Sequence, residues 1–372
     1  MQDDMPPGVV CGHFGEEEFQ YHGAAVPPLF QTSLFTGEHW GYSRFANPSV
    51  TVVERKIAAL EHTEAALCFA SGMAAISASV LSCVTAGDHV VALRSLYGGT
   101  RRLLETFLPR YGVTTTFVRG ETLSEFQQAL RPETRLIILE SPTTFTFRTP
   151  DIAAIAALAR QEEIVTLLDN SWATPIFQRP ADHGIDIVCH SASKYLAGHS
   201  DVIAGVVATS ASRAAAMQGV ERGLIGGSLD PFAAWLLTRG LRTLPIRMRA
   251  HEASAVQIAR KLADDPRVVE VLHPALAEDR STTLSGSSGL FAVRLDLARV
   301  DIPAFLKRLT VFQAGPSWGG FESLVVHPAS IHDAEWLARS DIPPDLVRFS
   351  VGLEEAEFLL DDIQTALEAG KE

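Results

Sequence analysis

Two hydrophobic periods alternate along the first two thirds of the chain. Short, nearly continuous apolar runs occupy Ala65–Phe69, His89–Leu93, Val113–Val118, Leu136–Leu139 and Ile164–Leu168. Between them, apolar positions return at helical spacing: Val53, Ile57 and Leu60 within 50–61, then the stretches Thr100–Arg110, Ser124–Leu130 and Asp151–Arg160. Continuous apolar strands separated by amphipathic helices are what a parallel sheet buried on both faces requires. The pattern predicts an α/β fold: a mostly parallel sheet covered by helices on both faces. Two further apolar runs, around Ile185–Val188 and Val202–Ala208, flank a polar turn.

The pattern changes near Asp230. Helical spacing runs from Phe232 through Leu262, with Pro245 as a kink or break, because proline has no backbone N–H to donate. Short strands at Val268–Leu272, Gly289–Leu295 and Val347–Val351 and helices at Pro303–Leu309 and Glu355–Glu368 follow. Residues 1–48 show neither period and are rich in glycine, proline and aromatics, including Pro27, Pro28, Phe30, Trp40 and Tyr42. The expected organisation is an N-terminal arm (1–48) packed on a neighbouring subunit, a large α/β domain (49–235) and a smaller C-terminal α+β domain (236–372).

Composition narrows the partners. The 372 residues carry a net charge of −13 and are 47% hydrophobic. An acidic excess of that size argues against nucleic acid or an anionic membrane surface as the main partner. No apolar run reaches membrane-spanning length. Cys11, Cys68, Cys83 and Cys189 are scattered without a CxxC spacing, which suits reduced thiols. The opening MQDDMPPGVV has no basic segment leading into an apolar one, so no secretory signal and a cytoplasmic location are expected. Cys189, His190, His199 and Asp201 cluster in sequence, yet match no common zinc spacing, and no metal is expected.

Candidate chemistry gathers around one lysine. Lys194 follows Ser191 and Ser193 at the end of an apolar run, where burial or nearby cations would free its amine. Asp169 closes another apolar strand, and the C-terminal end of a parallel strand is where α/β folds hold ligands. Ser71-Gly72-Met73 lies between a strand and an Ala-rich helix, and the free N–H groups of a helix N-terminus suit a phosphate. Each feature alone has an ordinary explanation: an exposed lysine, a turn aspartate, a helix cap. Together, an amine, an acid and a phosphate cradle are what pyridoxal phosphate needs.

At that point the chain resembles the cystathionine/methionine-metabolism family of pyridoxal-phosphate enzymes, of fold type I (aspartate-aminotransferase-like), from about Ala25 onward. The resemblance rests on YSRFANPS (42–49), FASGMAAI (69–76), YGGT (97–100), ESPT (140–143), DNSWATP (169–175), SASKYLAGHSD (191–201), RGLRTL (239–244), SWGGFESL (317–324) and RFSVGLE (348–354). It implies the cofactor pyridoxal 5'-phosphate, with Lys194 as Schiff-base lysine and proton shuttle and Asp169 as partner of the ring nitrogen. Gly72, Met73, Ser191 and Ser193 resemble phosphate-binding positions, and Tyr97 the tyrosine that stacks on the ring and serves as an acid or base. Tyr42 and Arg44 resemble a pair reaching the phosphate of the neighbouring subunit, which implies a homodimer at least, commonly paired into a homotetramer. Arg348 resembles the fork on the amino-acid α-carboxylate, with Ser317 and Trp318 beside the substrate.

The resemblance also implies a reaction class. Trp318 in SWGG, GSSGLF (286–291) and LRTLPIRMRAHEAS (241–254) lean toward bacterial cystathionine β-lyases, so carbon–sulfur β-elimination giving pyruvate, ammonia and a thiol is the expected activity. ESPTTF replaces the family's common ESPTNP, Pro316 offers no charge or hydroxyl before Ser317, and the loop from Phe35 to Tyr42 is short. A γ-lyase acting on a methionine-like or other γ-substituted amino acid, and a γ-replacement synthase, are the alternatives. A non-catalytic cofactor-binding regulator and a metal hydrolase are the readings from other classes.

Overall fold

The computed structural model describes residues 5–36, 40–278 and 281–368. Most of the predicted apolar runs become strands of one seven-stranded sheet: β1 (Ala65–Phe69), β2 (His89–Leu93), β3 (Thr114–Val118), β4 (Thr134–Glu140), β5 (Val165–Asp169), β6 (Ile187–His190) and β7 (Gly205–Thr209), in the order β1-β7-β6-β5-β4-β2-β3. The pairs β2–β3, β2–β4, β4–β5 and β5–β6 are parallel. β7 alone runs against both of its neighbours, β1 and β6. Strands β2, β6 and β7 are buried along their whole length, as an α/β sheet between helical layers demands. The register places Glu140, Asp169 and Cys189 side by side at the ends of β4, β5 and β6. Those strand ends form the crevice in which the candidate chemistry collects.

A second sheet holds β8 (Val268–Leu272), β9 (Leu290–Leu295), β10 (Gln313–Ala314), β11 (Leu324–Val326) and β12 (Leu346–Ser350) in the order β10-β11-β12-β9-β8. Its core centres on Phe349, whose ring lies 5.2 Å from Phe312, 5.7 Å from Phe291 and 6.5 Å from Phe305. The long helical stretch is two helices, Pro231–Arg242 and Leu244–Ala263, with Thr243 between them. Pro245 falls in the first turn of the second helix, where its missing N–H has no intrahelical partner to lose. The predicted helix over 100–110 is instead an α-turn (Gly98–Arg102), a wide π turn (Leu103–Phe107) and a tight 3-10 turn (Leu108–Tyr111). Pro109 cannot donate to an α-helical ladder, and Gly112, at φ 76°, ends the run.

The N-terminal segment has more structure than its composition suggests. Pro7–Gly12 is helical and buries Val10 and Cys11. Lys56, fully buried, holds it: its Nζ donates to the carbonyls of Val10 and Cys11 at 3.1 Å each and meets Glu16 Oε1 at 3.0 Å. Arg242 closes the cluster on Glu16 at 2.9 Å. Removing one partner of such a buried pair typically costs about 3–5 kcal/mol, so the first residues are fastened to their own chain. The following stretch is the exposed part of the arm, where Tyr21, Leu34 and Tyr42 show their rings or side chains to solvent. Residues 37–39 of the short loop before Tyr42, and the first four residues of the chain, lie outside the described residues. All four cysteines are free, and among the described residues no helix is long and apolar enough to cross a membrane.

Candidate active site

Lys194 sits on the turn that leaves β6. Its Nζ donates to Ser317 Oγ at 2.8 Å and lies 5.5 Å from the centre of the Trp318 ring. Burial, followed by the charge of Arg348, pushes the Lys194 amine down to about 8, while Asp169 and Glu322 act the other way. The amine therefore has a substantial free-base fraction near neutral pH, which an ordinary surface lysine lacks.

The turn carrying Lys194 is tied to the end of β5 through Ser171. The Ser171 hydroxyl donates to Asp169 Oδ1 at 2.5 Å and accepts the Ser191 N–H at 2.6 Å. The Ser171 N–H adds a second bond to Asp169 at 3.0 Å. Burial raises the pKa of Asp169, and the two bonds from Ser171 and the charges of His190 and Lys194 restrain that rise. Ser193 is occupied differently. Its hydroxyl donates to the Ala204 carbonyl at 3.2 Å and accepts the Ala204 N–H at 2.9 Å, so as placed it pins the turn to the segment entering β7.

Ser71 caps the helix Gly72–Leu81, its Oγ accepting the Ala74 N–H at 3.0 Å. That leaves the first-turn N–H groups at Gly72 and Met73 for an anion. A Cβ on Gly72 would lie 2.8 Å from both Cβ and Oγ of Ser191, so these two predicted residues close one cradle. A Cβ on Gly99 would meet the Tyr97 ring at 2.5 Å and Met73 Sδ at 2.7 Å, which brings Tyr97 and Met73 to the same corner. Gly72→Ala is expected to weaken cofactor binding by at least ~10-fold, since Ser191 cannot retreat without breaking its bond to Ser171. A titration of cofactor into apoenzyme checks it.

Arg348, on β12, reaches the site from the second sheet. Its Nη2 donates to the carbonyls of Pro316 at 2.9 Å and Ser317 at 3.3 Å, and its guanidinium stands 5.0 Å from the centre of the Phe145 ring. Its buried Nε has no partner among the described residues, and burial pushes its pKa down to about 10. A buried guanidinium with an unused donor suits a carboxylate. Trp318 packs on Tyr195 at 5.5 Å. Lys194, Ser317, Trp318 and Arg348 are thus one cluster.

Tyr42 and Arg44 stand apart from it. Arg44 donates to the Gly223 carbonyl at 2.7 Å and stacks 4.8 Å from the Phe45 ring centre. Tyr42 is about half exposed (49%). Among the described residues neither contacts the cluster around Lys194. The cysteine–histidine group read as a rival metal site has other work: Cys189 pairs with Ser79 at 3.4 Å, His190 with Glu61 at 2.6 Å, and His199 with the Ala197 carbonyl at 2.7 Å.

Sequence reasoning missed Glu140. It ends β4 as Asp169 ends β5, beside it in register. Burial and the Asp169 charge push its pKa up to about 8. The available signal was a carboxylate closing the apolar run LIILE, the same cue that had singled out Asp169.

An amine with a lowered pKa, a part-buried carboxylate, a glycine-floored anion cradle and an aromatic ring gathered at the strand ends fit pyridoxal phosphate. Residues 10–368 match the family model described as Cys/Met metabolism PLP-dependent enzyme. The chain is 38% identical to an L-methionine gamma-lyase of Pseudomonas deceptionensis, over 96% of both chains. It is 37% identical to a cystathionine beta-lyase of Lactococcus lactis subsp. cremoris, over 96% of this chain and 97% of the relative. The solved cystathionine gamma-lyase of Lactobacillus plantarum, complexed with L-serine, superposes with a TM-score of 0.93 at 34% identity, covering 99% of this chain and all (100%) of that one. The chain belongs to the Cys/Met-metabolism family of pyridoxal-phosphate-dependent enzymes, with the fold type I architecture of its neighbours.

Proposed function

We propose that the enzyme cleaves the Cβ–S bond of S-substituted cysteines, releasing a thiol and an enamine that one water hydrolyses to pyruvate and ammonia. Pyridoxal phosphate, when bound, supplies the electron sink that takes up the negative charge left on Cα. Asp169 would hold the ring nitrogen, and the first-turn amides at Gly72 and Met73, with Ser191, would hold the phosphate. Tyr97 would cover the ring face. Arg348 grips the α-carboxylate through its unused N–H and so orients the Cα–H bond toward Lys194. Lys194 Nζ takes that proton, and Ser317 holds the amine on the substrate side. The apolar faces of Trp318 and Phe145 exclude water from the reacting carbon.

The observation that carries the choice of β over γ is the seat of Lys194 against Trp318. Elimination at Cγ requires a second proton transfer, at Cβ, and an amine held between the Ser317 hydroxyl and the Trp318 ring has little range for a second position. Pro316 gives no group to hold a distal ammonium or carboxylate, which supports short or apolar sulfur substituents. The apolar lining is also what favours the second reading, γ-elimination from a methionine-like substrate. Incubation with S-methylcysteine and, separately, with methionine separates them: pyruvate with methanethiol from S-methylcysteine is expected, and 2-oxobutyrate from methionine without pyruvate from S-methylcysteine contradicts β-elimination.

Tyr42 and Arg44 are assigned to the neighbouring subunit's phosphate, in a homodimer formed through the exposed arm. Sedimentation of the loaded enzyme tests this, a monomer being the contrary result.

A further inference from the structure

Glu140 stands at the strand ends with no part in the chemistry above, yet its two oxygens hold two separate segments. Oε2 accepts the backbone N–H of Tyr97 at 2.7 Å, and Oε1 accepts the Thr144 hydroxyl. A second bridge runs in parallel: the Ser95 hydroxyl donates to the Thr144 carbonyl at 2.6 Å and meets the Thr146 hydroxyl at 3.1 Å. Thr146 in turn meets the Thr143 hydroxyl at 2.9 Å. The segment 95–97 and the loop 143–146 are therefore fastened at two points, and each carries one aromatic ring of the site. Tyr97 stands at the cradle corner beside Met73 and Gly99. Phe145, buried, backs the Arg348 guanidinium from a left-handed backbone conformation (φ 63°) that needs support from its surroundings. Glu140 itself is fixed by β4 and barely exposed (8%), so its carboxylate is a rigid point of attachment.

We propose that Glu140 is a positioning residue for the reaction. One oxygen sets the Tyr97 ring against the cofactor, and the other, through Thr144, sets Phe145 against Arg348. The two faces of the site are thereby kept in a fixed relation. The proposal rests on the assignments of Tyr97 and Arg348 made above. Hydrogen bonds to a carboxylate are shorter and stronger than neutral ones, which suits a residue whose task is to hold geometry. The chemistry of substitution is informative. Glutamine keeps an acceptor oxygen for the Tyr97 N–H and can donate its amide to the Thr144 hydroxyl oxygen, giving up the charge and the pull on the Thr144 backbone N–H. Alanine loses both side-chain contacts.

The test compares Glu140→Gln, Glu140→Ala and Thr144→Val as cofactor-loaded enzymes, read by the visible circular dichroism of the bound cofactor and by kcat and KM separately. Glu140→Ala is expected to weaken the circular dichroism band and to lower kcat/KM ~100-fold, the scale of a displacement near 1 Å at a reacting centre. Glu140→Gln should restore most of the band and bring the loss within ~10-fold. Thr144→Val should raise KM with the band largely kept, because it frees only the Phe145 side. A folded Glu140→Ala enzyme with the parent's dichroism and kcat/KM overturns the proposal. So does equal impairment of the Gln and Ala variants, which would assign the effect to charge. If the alanine variant does not fold, a parent-like KM in Thr144→Val together with an impaired band in Glu140→Gln is the overturning result. The dichroism reads ring placement whichever bond is cleaved, so release of 2-oxobutyrate would overturn β-elimination without touching this comparison.

Discussion

Lys194→Ala is expected to abolish turnover, lowering kcat by ~10,000-fold or more, because in the proposed mechanism one side chain supplies both the covalent attachment and the proton transfer. The fold should survive. Lys194 is only part-buried, and among the described residues its side chain hydrogen-bonds only to Ser317. A spectrum without the cofactor's protein-bound colour and a melting temperature equal to that of the parent apoenzyme check this together. The same residue predicts a pH dependence. Attachment needs the free amine, and burial together with Arg348 pushes the Lys194 pKa down to about 8. The rate of colour development when apoenzyme is mixed with cofactor should therefore rise ~10-fold per pH unit below that value and level off above it. An ordinary exposed lysine would still be climbing at pH 9, on the basis of its usual pKa of ~10.4.

The second large effect belongs to Arg348. Arg348→Lys is expected to lower kcat/KM by ~100–1,000-fold, chiefly through KM, since a lysine ammonium cannot span two loop carbonyls and a substrate carboxylate at once. Arg348 also acts on Lys194 at a distance: its charge is the second cause, after burial, of the depressed lysine pKa. Arg348→Ala should thus move the pH profile of cofactor attachment upward, toward the ordinary lysine range, as well as weakening substrate binding. Steady-state kinetics and the mixing experiment report the two effects separately. An unchanged attachment profile in Arg348→Ala would contradict the electrostatic part.

Much of the candidate site is legible in the sequence because its residues stand where sequence patterns are least ambiguous. Asp169 closes an uninterrupted apolar run, Ser71-Gly72 marks a strand-to-helix turn, and Lys194 sits between two small hydroxyl residues. The structure brings these to one crevice. Pro245 marked the helix break to within two residues, since proline acts through local sterics. What escaped depended on contacts between distant segments. β10 and β11, of two and three residues, are too short to show a period. The helix Pro7–Gly12 is fastened by Lys56 some 45 residues away, which no local pattern reveals. Glu140 closes an apolar run as Asp169 does, but the role proposed for it depends on its register with Asp169 and its bond to Tyr97, which no local pattern carries. Ser193 matched the expected hydroxyl position, but its proton goes to Ala204, a partner set by the return of the chain into β7.

The chemistry proposed here depends above all on Lys194 as the residue that carries the cofactor. Borohydride reduction of the loaded enzyme, followed by proteolysis and mass spectrometry, fixes the cofactor to whichever lysine holds it. A pyridoxyl adduct confined to the peptide containing Lys194 is the predicted result, and a stoichiometric adduct on Lys56, Lys261, Lys307 or Lys371 would contradict it.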